Sequence, residues 1–309
     1  MPGGAGTGPQ RAPRSLLALA ALVLVMLMWA GNSFVGRAVR ADIPPFLLAF
    51  VRWTGALLVV LPFAARHLRR DWPAMRAGWL PLLLIGFFGI VCFNALLYSG
   101  LRYTTAANAL LLQAGVPPLV LLADRLFFGR RATGFQILAV LTGGAGVAVV
   151  VCQGSLTQLL ALHFGAGDLI ILCAVVAWAL YTSLLRLRPA IHPTSLLAVT
   201  FAIGVAGMAP LAASEWAEIA AMHWRPELFG AFAYVAVFPS VVAYALYNAA
   251  VAEVGPALSG QAISLLPLFG ALLAVPLLGE ALHGYHAVGM ALIAAGIAAG
   301  WFAGKPGAA

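Results

Sequence analysis

Arg52 lies seven positions into an apolar run that begins at Pro45, and it is the only basic residue well inside such a run. A guanidinium there has two uses. It can hold a solute's carboxylate or phosphate through paired N–H donors, or it can tie neighbouring carbonyls while its stem stays in apolar surroundings. Trp29, Asn32 and Ser33 place an indole, an amide and a hydroxyl on one stretch, and Trp178, Tyr181 and Thr182 form a similar set on another. Asn94, Tyr98, Tyr244, Tyr247, Asn248 and Gln261 add phenols and amides elsewhere. Aromatic walls with a few hydrogen-bonding groups suit a small amphipathic molecule; interfacial anchoring and helix packing are the other uses of the same residues. Together these residues form the expected cavity set, with a small-molecule substrate as the partner they imply.

Catalytic chemistry finds little support. There is no G-x-x-x-x-G-K-[ST] loop and no H-E-x-x-H pair, and His67, His163, His192, His223, His283 and His286 fall between apolar runs or at their ends. Cys92, Cys152 and Cys173 belong to separate runs, without metal-ligand or redox spacing. No cofactor, metal site or enzymatic activity is expected. A non-transporting membrane scaffold or sensor, or an intramembrane enzyme assembled from distant residues, is the competing reading.

The elements that must position these groups are membrane helices. Hydrophobic residues make up 63% of the 309 and charged residues 8%, with a mean hydropathy of +1.00; a soluble domain carries charge on roughly a quarter of its residues. Ten runs approach the roughly 20 residues that a helix needs to cross hydrocarbon: 15–35, 45–65, 79–101, 104–123, 132–152, 169–187, 195–213, 228–251, 257–278 and 287–303. The first follows Arg11 and Arg14 as a signal peptide would, but it continues past Trp29 to Val35 and reads as a membrane helix. The formal charge of +8 is dispersed between apolar runs, so nucleic acid is not expected as a partner; a lipid bilayer is. With the amino terminus inside, twelve basic residues fall on the inner side and four on the outer, the bias expected of cytoplasmic loops. Both termini are thus expected in the cytoplasm.

The chain also matches itself. At an offset of 149 residues, Trp29, Arg37 and Pro44 fall on Trp178, Arg186 and Pro193; at 150, Pro117, Gly129 and Gly146 fall on Pro267, Gly279 and Gly296. Five runs per copy is odd, so the second copy enters the membrane from the opposite side. Inverted repeats are the usual architecture of secondary transporters. The expected organisation is a disordered amino terminus over 1–14, one repeat over 15–152, a linker over 153–166, a second repeat over 167–303 and a tail over 304–309.

These anchors resemble the EamA branch of the drug/metabolite transporter superfamily. Trp29-Ala30-Gly31-Asn32-Ser33-Phe34 is similar to the family's opening motif, and Pro45 with Arg52 follows. The spacing from Tyr98 to Pro117, the Gly167-Asp168-Leu169 start of the second repeat with Ala177 to Tyr181, and Pro267 through Leu278-Gly279-Glu280 complete the family order. Gly129-Arg130 departs from it, standing where the family often repeats Gly-Glu. The resemblance implies an all-α membrane protein of ten transmembrane helices, built as two inverted five-helix repeats around a central cavity. It also implies transport of small organic solutes such as amino acids, their derivatives or drugs; the Ala, Gly and Arg bias of the composition points to a GC-rich bacterium and hence to the inner membrane.

Pro117 and Pro267 remove a backbone donor within their runs and are the expected hinges, with Asn108, Gln113, Gln261 and Ser264 one to two turns before them; Pro118 and Pro239 add further breaks. The nine carboxylates all fall in loops or at run ends, whereas proton-coupled carriers usually keep an acid at the midplane. Facilitated diffusion or exchange is therefore expected. Glycines at 289, 296, 300 and 304, with Gly143, Gly144 and Gly146 in the mate helix, mark close helix packing. Whether those helices join two protomers is left open by the sequence.

Overall fold

The computed structural model describes residues 14–39, 41–163, 165–278 and 281–303. The Gly279-Glu280 pair and the two expected tails, apart from Arg14, lie outside them. Long helices dominate: α1 (Arg14–Val39), α2 (Pro45–Ala77), α3 (Trp79–Leu101), α4 (Asn108–Phe128), α5 (Gly134–Val151), α6 (Ala166–Leu187) and α7 (Pro193–Ser214). Residues 226–254 form α8, 256–278 form α9, and Gly284–Ala303 form α10.

Nine stretches among the described residues are long and apolar enough to cross a membrane. One of them, Pro226–Leu277, has 52 residues, far beyond the roughly 20 that span a bilayer. It is broken at Gly255, whose φ of 82° and ψ of 163° belong to a region open essentially only to glycine. Pro256 follows and cannot donate a backbone bond. The break separates α8 from α9 where the sequence places the boundary. By contrast, α2 runs to Ala77, well past the expected end at residue 65. The extension holds Arg, Ala, Leu and Met residues, which are good helix formers, and the helix continues through Pro73 where the apolar pattern stops.

The two repeats interlock. The first helix of each packs against the third and fourth helices of the other, α1 on α8 and α9, and α6 on α3 and α4. The second helices, α2 and α7, pack together, and so do the fifth, α5 and α10. Leu58, Phe63, Leu83, Leu141 and Leu169 remain exposed on outer faces, as helices bathed in lipid require.

Between α5 and α10 the backbones themselves touch. A Cβ on Gly146 would lie 2.8 Å from the Gly289 carbonyl oxygen and 3.0 Å from the Ile293 nitrogen. The glycine stripe thus packs one repeat on the other inside a single chain. Gly146→Ala is expected to destabilise the detergent-solubilised protein by about 1–3 kcal/mol, because two of the three atoms that the Cβ would meet are backbone and the third is Ile293 Cγ1; thermal unfolding measures it.

Candidate functional site

The centre of the protein is organised by two wide helical turns. Residues Phe87–Cys92 of α3 and Val237–Val242 of α8 are π-helical, at an offset of 150 residues, and such turns are frequent at functional sites. The turn in α8 contains Pro239, which supplies no N–H to the carbonyl of Val235. The hydroxyl of Ser240 takes that role, donating to Val235 O at 2.7 Å.

Both wide turns offer a carbonyl to the opposite repeat. Trp29 Nε1 donates to Pro239 O at 2.9 Å, and Arg52 Nη2 donates to the same oxygen at 3.1 Å. Arg52 Nε donates to Ser240 Oγ at 2.6 Å, and its guanidinium lies 4.6 Å from the centre of the Trp53 ring. In the other half Tyr244 Oη donates to Gly89 O at 3.0 Å. Gly89 and Pro239 are repeat mates at 150, so carbonyls at matching positions anchor the interior from both sides.

Around these anchors the aromatic residues pack on one another. Trp29 and Trp178 meet edge to face with centroids 5.1 Å apart; Tyr244 contacts Trp53 at 5.2 Å; Tyr181 and Tyr247 stack at 6.2 Å. Tyr181 Oη donates to Asn248 Oδ1 at 2.5 Å, and Thr182 Oγ1 and Tyr247 Oη lie 3.0 Å apart. Such offset and edge contacts exceed simple burial in strength. The structure therefore brings together Trp29, Arg52, Trp178, Tyr181, Thr182, Tyr244, Tyr247 and Asn248 as a packed cluster.

Other expected residues lie apart from it. Ser33 is exposed and its hydroxyl returns to the carbonyl of Trp29; a hydroxyl one turn on is close enough to bond its own helix. Asn94 is buried but donates to Ile90 O at 2.7 Å, satisfying its own wide turn. Asn32 and Tyr98 are half-buried. The coincident π-turns pair Tyr98 with Asn248, rather than with Tyr247 as the 149 offset suggests, because the register advances by one residue between the first and third helices. Arg52 occupies its structural role in this conformation. Asn108 does not face a kink; it donates to Asp168 Oδ1 at 3.0 Å, beside Thr104.

Ion pairs join elements at both ends. At the face where α1 ends, the Glu215 carboxylate accepts from the Phe46 and Leu47 amides at 2.9 and 3.0 Å, two of the unpaired donors that open α2. Its other oxygen is 2.5 Å from Arg102 Nη2 at the end of α3. Burial pushes the Glu215 carboxyl above its usual 4.5, an effect offset in part by the two amides and Arg102. At the opposite face Arg186 makes a two-pronged pair with Asp124 at 2.6 and 3.2 Å, and Arg188 donates to Asn248 O at 3.1 Å.

The raised Glu215 value carries a sign. In the window above 4.5 the folded chain holds a proton there that the unfolded chain has released, so this residue's contribution to stability falls as pH rises. The excess in melting temperature of wild type over Glu215→Gln should therefore be largest near pH 4.5 and shrink towards neutrality, as a pH series of unfolding scans would record.

A cleft of about 280 Å³ opens near the face where α1 begins, lined by residues that include Ser15, Pro117, Gln136, Glu253, Gln261 and Trp301. Pro117 lies just after a break in its helix at Ala114–Gly115, and Pro267 follows a 3₁₀ turn at Ala262–Leu265. The expected hinges thus coincide with interruptions at matching positions of α4 and α9. The wide turns escaped sequence reading because π-helices have no composition of their own, although an intrahelical Pro239 was a signal. Trp53, beside Arg52, and Ser240 were missed as partners.

Known proteins share this plan. The EamA-like transporter family matches residues 16–152 and 165–299. An uncharacterized transporter of Archaeoglobus fulgidus is 30% identical over 281 residues, 89% of this chain and 94% of its own. The uncharacterized inner membrane transporter YedA of Escherichia coli is 26% identical over 280 residues, 87% of this chain and 86% of its own. A solved structure, described only as the crystal structure of a protein, superposes with a TM-score of 0.69 at 21% identity, over 93% of this chain and 96% of that one. The family match in both halves and the interlocked repeats make the chain a multi-pass membrane transporter that belongs to the EamA-like transporter family.

Proposed function

We propose that the chain is a secondary carrier of small amphipathic organic solutes such as amino acids, their derivatives or drugs, working by alternating access as an exporter or facilitator, with both termini in the cytoplasm. The observation that carries this reading is the duplicated anchor. Matching carbonyls at Gly89 and Pro239 each receive donors from the other repeat, Tyr244 on one side and Trp29 with Arg52 on the other, which supports two halves closed on one shared aromatic cluster that opens to a solute as they move. Exchange of conformations between inverted halves is how such folds expose one site to two sides.

Three described carboxylates, Asp124, Asp168 and Glu215, are buried, and each is held by partners near a helix end. This supports facilitated diffusion or exchange without a midplane acid. Uptake into proteoliposomes, tested with neutral, cationic, anionic and zwitterionic solutes, is the experiment. At least one class should enter faster than into empty vesicles, and Trp29→Ala combined with Trp178→Ala should abolish that flux while the protein still elutes as a folded species. Flux that rises steeply with an imposed pH gradient would contradict uncoupled transport, and no flux for any class would contradict the carrier.

A further inference from the structure

The exposed stripe of α2 changes character without changing direction. Val59, Pro62 and Phe63 are exposed on its outer side, and Arg66, Arg69, Arg70 and Arg76, all exposed, carry the same stripe onward. Steps of three and four residues keep side chains on one face of a helix. The opposite stripe holds Ala64, His67, Leu68, Asp71 and Met75, which are buried or half-buried, where α2 packs on α7. That face is clamped. Asp71 accepts from the His192 amide at 2.8 Å and from Ser195 Oγ at 2.7 Å, and the His67 ring stacks on that of His192 with centroids 3.6 Å apart. The helix cannot turn its arginines inward without breaking these contacts.

None of the four guanidiniums has a hydrogen bond or an ion pair among the described residues. Asp71 is the only carboxylate on α2, and it is engaged on the opposite face. By contrast, Arg186 and Arg188, at the same end of the protein, are tied to Asp124 and to the Asn248 carbonyl. The free charges also sit at a defined depth. The apolar run of α2 ends at residue 65, just before Arg66, and α3 opens at Trp79 with Trp79, Leu80 and Leu83 exposed. Both ends of the basic segment therefore lie at the edge of the apolar layer. Trp72 and Trp79, each 61% exposed, carry the amphipathic rings that favour this depth.

A cationic stripe that continues a lipid-facing surface meets headgroups before bulk solvent. A zwitterionic headgroup balances its phosphate with its own ammonium, whereas an anionic one offers an unbalanced phosphate that a guanidinium can grip through two N–H donors. An acidic soluble protein would have to displace headgroups to reach Arg66, which lies one turn from the exposed Phe63.

We propose that the basic stripe of α2 at residues 66–76 is a binding surface for anionic phospholipid headgroups, whose acyl chains lie along Val59, Pro62 and Phe63. Lipid binding can be measured without flux and does not depend on the carrier reading. The full chain in detergent is titrated with dioleoyl-phosphatidylglycerol, dioleoyl-phosphatidylcholine or glycerol phosphate, and bound molecules are counted by native mass spectrometry. Phosphatidylglycerol should bind at concentrations roughly tenfold below phosphatidylcholine, and glycerol phosphate, which has no acyl chains, should not bind in the same range. Arg66→Gln should raise the half-binding concentration of phosphatidylglycerol about fivefold, and Arg69→Gln combined with Arg70→Gln more than about tenfold, the scale of one and two basic residues near an anionic surface. Arg225→Gln removes the same charge as Arg66→Gln, but from an exposed arginine already paired with Asp42 at 2.6 Å, and should leave binding within about twofold of wild type. The α2 arginines hold no partner, so their variants should melt with wild type in the absence of lipid. Equal binding of the two lipids, binding of glycerol phosphate at the same concentrations as phosphatidylglycerol, or equal shifts for Arg66→Gln and Arg225→Gln would overturn the surface.

Discussion

Arg52→Ala should lower the stability of the solubilised protein by about 3 kcal/mol, the scale of losing charge-assisted hydrogen bonds from a buried ionic group. The guanidinium is 6% exposed and bonds Ser240 and Pro239 of the opposite repeat. Arg52→Lys should recover only part of the loss, since an ammonium cannot reproduce the planar fork that reaches both acceptors. The pair of variants separates the two roles that the sequence left open. A structural tie predicts that the ligand-free Lys variant melts below wild type. A solute clamp predicts unchanged melting, with the defect confined to the affinity for anionic solutes. Differential scanning fluorimetry without solute distinguishes them, and the observed bonds predict the first outcome.

Gly89→Ala should be nearly as damaging. A Cβ there would stand 2.7 Å from Tyr181 Cγ and 2.8 Å from Tyr181 Cε2. The ring has nowhere to go, because its hydroxyl is bonded to Asn248 and its faces pack on Trp178 and Tyr247. Overpacking of this kind costs about 1–3 kcal/mol. It also pushes on the carbonyl that receives Tyr244, so flux should fall more than stability does. If the clash is with Tyr181 alone, a smaller side chain there relieves it. Tyr181→Leu in the Gly89→Ala background should then cost less than in wild type, a coupling that a double-mutant cycle measures directly.

The architecture was legible because membrane helices announce themselves by length and apolarity, and because an offset near 150 aligns Trp, Arg, Pro and Gly anchors that chance does not supply. The same offset found the pairing of Trp29 with Trp178, which the structure places in contact. Less visible was anything decided by backbone hydrogen bonding. The π-turns leave no mark on hydropathy, so neither the carbonyl shared by Trp29 and Arg52 nor the one that receives Tyr244 could be read. Side chains that satisfy their own helix, such as Ser33 and Asn94, looked like cavity residues because a one-dimensional pattern does not say where a hydroxyl or amide turns. Glu215 was correctly assigned to a helix end, but its position over the first amides of α2 joins residues 169 positions apart in the chain.

In the proposed cycle the two halves exchange conformations, closing one face as the other opens. Spin-label distances test it most directly in the chain with its cysteines replaced. One label pair, Ala41→Cys with Ala221→Cys, reports the face joined by Glu215, and another, Arg130→Cys with Ala190→Cys, reports the face joined by Arg186. Two populated distances are expected for each pair, shifting in opposite directions when a transported solute is added. A single distance for each pair that does not respond to a solute whose flux has been measured would contradict it.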